Sequence, residues 1–367
     1  MTAIADVVDF LERFAPPDLA ADWDNVGLLL GDRSRPVERI MTCLTVTPES
    51  AAEAVESSAN LIVTHHPILF RPVKRLTTDS TEGRTLLALI QSGVSVYSPH
   101  TAFDNTREGI NDRLAEKLGV VDIGPLRQGQ PAPEFKVVVF VPDNDLGRVC
   151  DAMFAAGAGK IGQYSECSFR IAGTGTFFGS DTTNPTVGQK GRREEVHEWR
   201  LEAVCPQSHL DKVIHAIRTA HSYEEPALDI YSLSSHASQS GEGRMGTLPQ
   251  PVPLAQLAQK TKEQLGAPMV QAVGDLNRSV SRVGIVCGAG GEFLSDGIRS
   301  RADVFVTGEM RFHDQLRARA EGVSIVLAGH YFTERFGVEE LAVRIQANWP
   351  ELQVWASRRE KDPANLV

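Results

Sequence analysis

The chain has 367 residues, 42% hydrophobic and 23% charged, a balance that suits two or three globular domains and excludes disorder along its whole length. Its 47 acidic against 37 basic residues give a formal net charge of −10, which disfavours a general nucleic-acid binder and leaves an anionic small molecule to a local pocket. The most apolar runs, such as residues 137–141, fall far short of the about 20 residues of a membrane-spanning helix, so no membrane segment is expected.

Ile4, Val7, Val8, Leu11 and Phe14 recur at helical spacing and predict an amphipathic helix; its Asp6, Asp9 and Glu12 do not suit a signal peptide. From residue 40 to 118 aliphatic runs alternate with helical patterns. Residues 40–45, 61–64 and 94–97 read as strands, and 49–58, 83–91 and 107–118 as helices. This alternation predicts a parallel-rich α/β sheet. The Pro, Gly and Gln of residues 124–133 read as a linker. Strands are then predicted at 135–141, 167–178, 196–204 and 227–231, with helices at 146–156 and 210–220. That is the βαββαβ order of a ferredoxin-like unit. Residues 232–243, rich in Ser and Gly, read as an exit linker, and from about Leu254 the α/β pattern returns with strands at 283–287, 304–307 and 323–327.

The outer blocks share a repeat. Ala59-Asn60-Leu61-Ile62-Val63-Thr64 is similar to Ala302-Asp303-Val304-Phe305-Val306-Thr307, and Gly93-Val94-Ser95-Val96 to Gly322-Val323-Ser324-Ile325. The expected organisation is a duplicated α/β unit, residues 1–130 and 245–367, forming one body, with an α+β domain over 134–235 placed between the copies. Equivalent strands then end on one face, where open α/β sheets bind ligands.

Three clusters follow those strands. His65-His66 stands after residues 61–64, His100 and Asp104 after 94–97, and His330 with Glu334 after 323–327, at a spacing that puts both on one helix face. Each has a plain structural alternative: histidines capping a strand, a loop acid, an acid favoured by a helix N-terminus. Together, His65, His66, Asp104, His330 and Glu334 form a set that suits zinc, iron, manganese or nickel. Five ligands exceed what one open zinc takes, so two divalent ions sharing a bridging carboxylate fit better. No cysteine joins the set. Cys43, Cys150, Cys167, Cys205 and Cys287 are scattered without a C-x-x-C pair, which suits a reducing cytoplasm.

These stretches resemble the NIF-three-like family, often labelled GTP cyclohydrolase I type 2 homologues. The matching segments are Asp22-Trp23-Asp24-Asn25-Val26-Gly27-Leu28, Val63-Thr64-His65-His66-Pro67-Ile68-Leu69-Phe70, His100-Thr101-Ala102-Phe103-Asp104-Asn105, Thr307-Gly308-Glu309, and Gly329-His330 through Glu334. The middle block is similar to the PII/CutA-like insertion of the long forms through Ile161-Gly162-Gln163-Tyr164-Ser165, Gly173-Thr174-Gly175-Thr176-Phe177, Asn184-Pro185 and Glu224 through Tyr231. The resemblance implies a dinuclear site on His65, His66, Asp104, His330 and Glu334, and a toroidal homohexamer with the sites facing an interior cavity. Met310-Arg311-Phe312-His313 departs from the family's more His-rich pattern.

Other features are open to two readings. Gly288-Ala289-Gly290-Gly291 is an anion cradle at a helix start or a tight turn. Glu309 is a general base, a partner to a ligand or a solvated acid; His100 and His313 orient ligands, bind substrate or are ordinary histidines. Trp23 and Asp24 fix the N-terminal loop near the site or pack the core. No Gly-x-Ser-x-Gly elbow occurs, so serine-triad chemistry has no motif. The expected function is a dinuclear metal-dependent hydrolase acting on a nucleotide-like or cyclic amide substrate, as the family label implies. The competing expectation is a metal storage, delivery or sensing protein with a small-molecule effector.

Overall fold

The computed structural model describes residues 2–128, 134–162, 164–233 and 239–365. Its contacts divide the chain into two compact units, Met1–Gly129 with Ser238–Val367, and Gln130–Ala237.

The first segment of the larger unit runs α1 (Ile4–Phe14), β1 (Gly27–Leu30), β2 (Arg39–Cys43), α2 (Pro48–Glu56), β3 (Leu61–Thr64), α3 (Thr81–Gln91), β4 (Ser95–Ser98), α4 (His100–Asn105), α5 (Ile110–Lys117) and β5 (Val121–Gln128). The smaller unit runs β6 (Glu134–Pro142), α6 (Leu146–Ala155), β7 (Phe169–Phe178), β8 (Arg193–Pro206), α7 (Leu210–Ala220) and β9 (Leu228–Ser232). The chain then returns with β10 (Gly241–Pro253), α8 (Leu254–Leu265), β11 (Gln271–Val273), β12 (Ser279–Ala289), α9 (Leu294–Arg299), β13 (Val304–Glu309), α10 (Phe312–Ala320), β14 (Ser324–Leu327), α11 (His330–Asn348) and β15 (Gln353–Ala356).

The larger unit has two sheets, β1-β4-β3-β2-β15 and β11-β14-β13-β12-β10-β5. In each, three parallel strands stand in the same order, with Ile40 beside Leu61 and Leu61 beside Ser95 in one, and Val283 beside Val304 and Val304 beside Ser324 in the other. The repeat in the sequence is therefore a repeat in topology. β3 and β14 are buried at every residue, which is why they read as unbroken aliphatic runs rather than alternating patterns. Each segment also lends a strand to the other's sheet: β15 pairs in parallel with β2, and β5 pairs antiparallel with β10. The shared core includes Leu61, Val63, Phe103, Ile110, Val283, Val304 and Val306, with Leu341 and Ile345 of α11.

Both expected linkers are shorter in the structure. Residues 124–128 belong to the edge strand β5, and the linker reading for 129–133 lies outside the described residues. At the other boundary Ser232 ends β9 and Gly241 already opens β10, so only residues 233–240 separate the strands. The strand-to-sheet edge position tolerates Pro125, whose missing N–H would break a central ladder.

The smaller unit is one antiparallel sheet, β7-β8-β6-β9. Val137, Val139, Val141, Leu201 and Ala203 alternate onto the face that packs against Val149 and Met153 of α6 and Val213 and Ile217 of α7. This is the βαββαβ arrangement expected from the sequence. Among the described residues no helix is long and apolar enough to cross a membrane.

Candidate metal centre

Two adjacent imidazoles on a pleated strand would point to opposite faces. Past Thr64 the chain leaves the pleat. Backbone N–H groups of His65 and His66 still donate to the carbonyls of Cys43 and Leu44, at 3.0 and 2.8 Å, while Thr64 Oγ1 donates to the carbonyl of His66 at 3.2 Å. Ser98 Oγ donates to the carbonyl of His65 at 2.6 Å. The result brings the two rings to 5.1 Å between centroids.

His65 is fully buried, and among the described residues neither ring nitrogen has a hydrogen-bond partner. Its Nε2 lies 3.6 Å from Asp104 Oδ1 and 3.9 Å from Glu334 Oε1. Burial pushes its pKa well below the usual histidine value, so the ring is neutral and offers a lone pair. A buried polar ring without a partner costs stability unless another group completes it.

His330 opens α11, and its Nε2 lies 3.1 Å from Glu334 Oε2 one turn on. His66 Nε2 reaches the same oxygen at 3.1 Å, while its Nδ1 pairs with Thr45 Oγ1 at 2.7 Å. Burial works against the Glu334 charge, but contacts from His330 and His66 win and hold its carboxyl below the ordinary value. The Glu334 carboxylate, more than the opposing burial, raises His330 to about 9, with help from Glu309 at 3.1 Å from Nδ1. Glu309 is 61% exposed and holds the outer nitrogen of His330, leaving Nε2 for the site.

Asp104 projects from α4. Burial and then the Glu334 charge lift its carboxyl to about 7. Cys287 Sγ donates to Asp104 Oδ1 at 3.3 Å, and burial keeps this thiol well above its usual pKa, so it acts as a protonated donor rather than a thiolate ligand.

The sequence-predicted residues His65, His66, Asp104, His330 and Glu334 thus converge, and Glu309 stands against His330. His100 also comes in: His65, His66 and His100 form one group able to hold a metal ion, and His66, His330 and Glu334 another. His100 takes a backbone φ of +27° and is clamped by Asp24, whose Oδ1 meets its Nδ1 at 2.7 Å. Burial disfavours the Asp24 charge, but the hydrogen bonds from His100 and Thr101 outweigh it and hold the carboxyl at about 2. Asp24 is therefore a site residue rather than core packing. His313 is not brought in; it is exposed on α10 with its ring against Phe312.

The backbone N–H groups of Gly288 and Gly290 donate to Thr333 and Thr307 Oγ1, each at 3.0 Å, so Gly288 in β12 and Gly308 in β13 provide space rather than an anion cradle. Gly288 takes φ +59°, and a Cβ there would meet Glu334 Oε1 at 2.2 Å. At Gly308 a Cβ would meet Thr333 Oγ1 at 2.7 Å and the Cα of His330 at 2.8 Å. Both glycines let the start of α11 lie directly on the ends of β12 and β13. The sequence signal was present as Gly288 and Gly308 after predicted strands, but their partner was not.

His66, His100, Asp104, His330 and Glu334 open into a cavity of about 400 Å³. Trp23 and Phe70 form part of its wall, 5.8 Å between ring centroids, and Trp23 lies 6.0 Å from His100. The unpartnered His65 nitrogens, the neighbouring imidazoles and the carboxylates of Asp104 and Glu334 fit divalent cations.

A repeated α/β body with imidazoles and carboxylates gathered at its strand ends defines a candidate metal-binding protein. The chain belongs to the Duf34/NIF3 (NGG1p interacting factor 3) family, whose model matches residues 2–363. It is 36% identical over 364 residues to a GTP cyclohydrolase 1 type 2 homolog of Halalkalibacterium halodurans, covering 98% of each chain. The Bacillus subtilis protein of the same name is 36% identical over 325 residues, 89% of this chain and 87% of that one. Among solved structures, a Bacillus cereus protein related to NIF3 superposes with a TM-score of 0.76 at 34% identity, covering 100% of this chain and 99% of that one. A Staphylococcus aureus protein gives 0.79 at 28% identity with the same coverage.

Proposed function

We propose that this protein is a dinuclear metal-dependent hydrolase acting on a cyclic amide or nucleotide-like substrate. The observation that carries the reading is His65, fully buried with both ring nitrogens unpartnered, facing Asp104 and Glu334. Glu334 presents Oε1 toward His65 and Oε2 toward His66 and His330, which suits a carboxylate shared between two ions. His65, His66, Asp104, His330 and Glu334 would hold the pair, with His100 as a further donor or proton carrier. When bound, two divalent ions supply Lewis acidity and acidify water.

The remaining residues bind, orient and move protons. Glu309 fixes the His330 ring, Asp24 fixes His100, and Trp23 with Phe70, their rings tilted by 59°, offers apolar ring surface to a planar ligand. His100 and Glu309, both held at the cavity by hydrogen bonds, are the proposed proton-handling groups. The names of the relatives support a nucleotide-like substrate.

Elemental analysis of protein purified without added metal or chelator tests the site, and a panel of cyclic amides and nucleotides, assayed with the metal found, tests the activity. About two ions per chain with turnover is the expected result. No metal and no uptake on titration overturns the proposal. Full metal with no turnover favours storage, delivery or sensing instead. Assembly into a ring of identical chains in the cytoplasm belongs to the same proposal, and sedimentation velocity at several concentrations tests the assembly; a monomer throughout would sink it.

A further inference from the structure

The smaller unit has its own cavity, about 670 Å³, within the range of small-molecule sites and larger than the one beside the histidines. It brings together three stretches that the sequence singles out and the metal residues do not use: Gly175, Thr176 and Phe177 of β7, Pro185, and Glu224 with Glu225. Phe140 of β6 and Glu198 of β8 complete it, on the sheet face turned away from α6 and α7 by strand alternation.

The chemistry of the lining is one-sided. Among the described residues its charged lining is Glu198, Glu224 and Glu225, with no Lys or Arg. Phe140, Phe177 and Tyr223 supply aromatic surface. Glu198 makes no ion pair with a cation among the described residues, and its carboxylate fills the place of a side chain on Gly175, where a Cβ would lie 2.1 Å from Oε2. Tyr223 Oη is buried beside Glu198. Arg200 pairs with Glu202 at 3.3 Å and lies 6.0 Å over the Phe140 ring, so it is held by these two groups rather than by Glu198. A half-buried carboxylate lacking a cation, set among aromatic rings, is the arrangement that recognises an ammonium group. The same carboxylates repel a phosphate or a carboxylate ligand.

We propose that this cavity binds a small organic ammonium ion with an apolar or planar body, the aromatic residues holding the body and Glu198 the charge. The site is independent of the metal residues, all of which lie in the larger unit.

Isothermal titration calorimetry on the full chain tests it, with benzyltrimethylammonium as the cationic probe and 3-phenylpropionate as an anion of similar apolar body. Saturable binding of the cation and none of the anion is expected. Glu198→Gln should weaken cation binding by about tenfold, the loss of roughly one charge-assisted contact. Gly175→Ala, which displaces the carboxylate, should weaken it as well. Both variants are checked for an unchanged circular dichroism spectrum and metal content, and if one fails to fold the other decides. Absence of saturable cation binding, equal binding of the two probes, or wild-type affinity in a folded Glu198→Gln or Gly175→Ala chain overturns the proposal.

Discussion

The carboxylate of Glu334 occupies the space of the side chain that Gly288 lacks: a Cβ on Gly288 would lie 2.2 Å from Oε1, and 3.2 Å from Nε2 of His330. Gly288 also takes φ +59°, a conformation costing other residues about 1–2 kcal/mol. Gly288→Ala should therefore displace Glu334 and lower metal content per chain while leaving the secondary structure intact. Elemental analysis alongside circular dichroism checks this, and a folded variant with wild-type metal content would show that Glu334 does not need its seat.

His65 leads to a second expectation. In the absence of metal its buried, unpartnered ring costs stability, so His65→Leu should be as stable as the wild type or more so in the presence of chelator. With divalent metal the order should reverse. Wild-type protein gains about 2.7 kcal/mol at a free metal concentration a hundred times its Kd, and the variant should gain much less. Thermal unfolding with and without metal measures both, and equal metal-induced shifts in the two chains would remove His65 from the ligand set.

Much of this site was legible because its residues carry local signals. His65 and His66 end a wholly buried strand, and His330 and Glu334 sit one helical turn apart. The clamp on His100 had no such signal, since Asp24 lies 76 residues away and only the folded chain brings them to 2.7 Å. The strands β5 and β10 were hidden for a different reason. β5 is an edge strand that tolerates Gly124 and Pro125, and β10 begins with Gly241 and Gly243, so both carry the composition of linkers. Their pairing with each other is non-local, and no periodicity within either segment announces it.

Asp24→Asn tests whether the clamp matters. The substitution keeps the shape but removes the charge that fixes His100 through Nδ1 and, through Oδ2, accepts from the backbone N–H of Thr101 at 3.1 Å. A partner that orients a ligand in this way is typically worth about 10–100-fold in metal affinity. Competition against a chelator of known affinity reads that loss. Wild-type affinity in Asp24→Asn would mean that His100 stands outside the donor set.

Arg244 is among the largest fully buried side chains and joins the two segments of the larger unit close to the site. It pairs with Asp112 and donates to the carbonyls of Gly241 and Gly243, both at 2.7 Å, and of Thr106 at 2.6 Å, just beyond the helix that carries Asp104. Arg244→Met leaves Asp112 and these carbonyls without their donor. Breaking a buried pair in this way costs about 3–5 kcal/mol. Urea unfolding should show a shift of that size, and a change under about 1 kcal/mol would mean that water or relaxation replaces the guanidinium.

The last expectation concerns acid. Glu53 of α2 is buried and anchors the end of the chain, accepting from Ser357 Oγ at 2.7 Å and from the backbone N–H groups of Arg358 and Arg359, each at 3.0 Å. Burial alone would raise its pKa, but these hydrogen bonds favour the charged form and bring it below its ordinary 4.5. The folded state thus holds the ionised carboxylate more tightly than the unfolded chain does. Its contribution is complete above 4.5 and fades as pH falls through the depressed folded value. Glu53→Gln should be less stable than wild type at neutral pH, by about 1–3 kcal/mol for the backbone donors left poorly matched. The gap between the two chains should then narrow as the pH drops below 4.5. Urea midpoints followed from neutral to acid pH measure it, since the other carboxylates titrate alike in both chains and cancel in the difference. A gap that stays constant or widens toward acid would mean that Glu53 is protonated in the folded protein and that its hydrogen bonds, rather than its charge, hold the terminal segment.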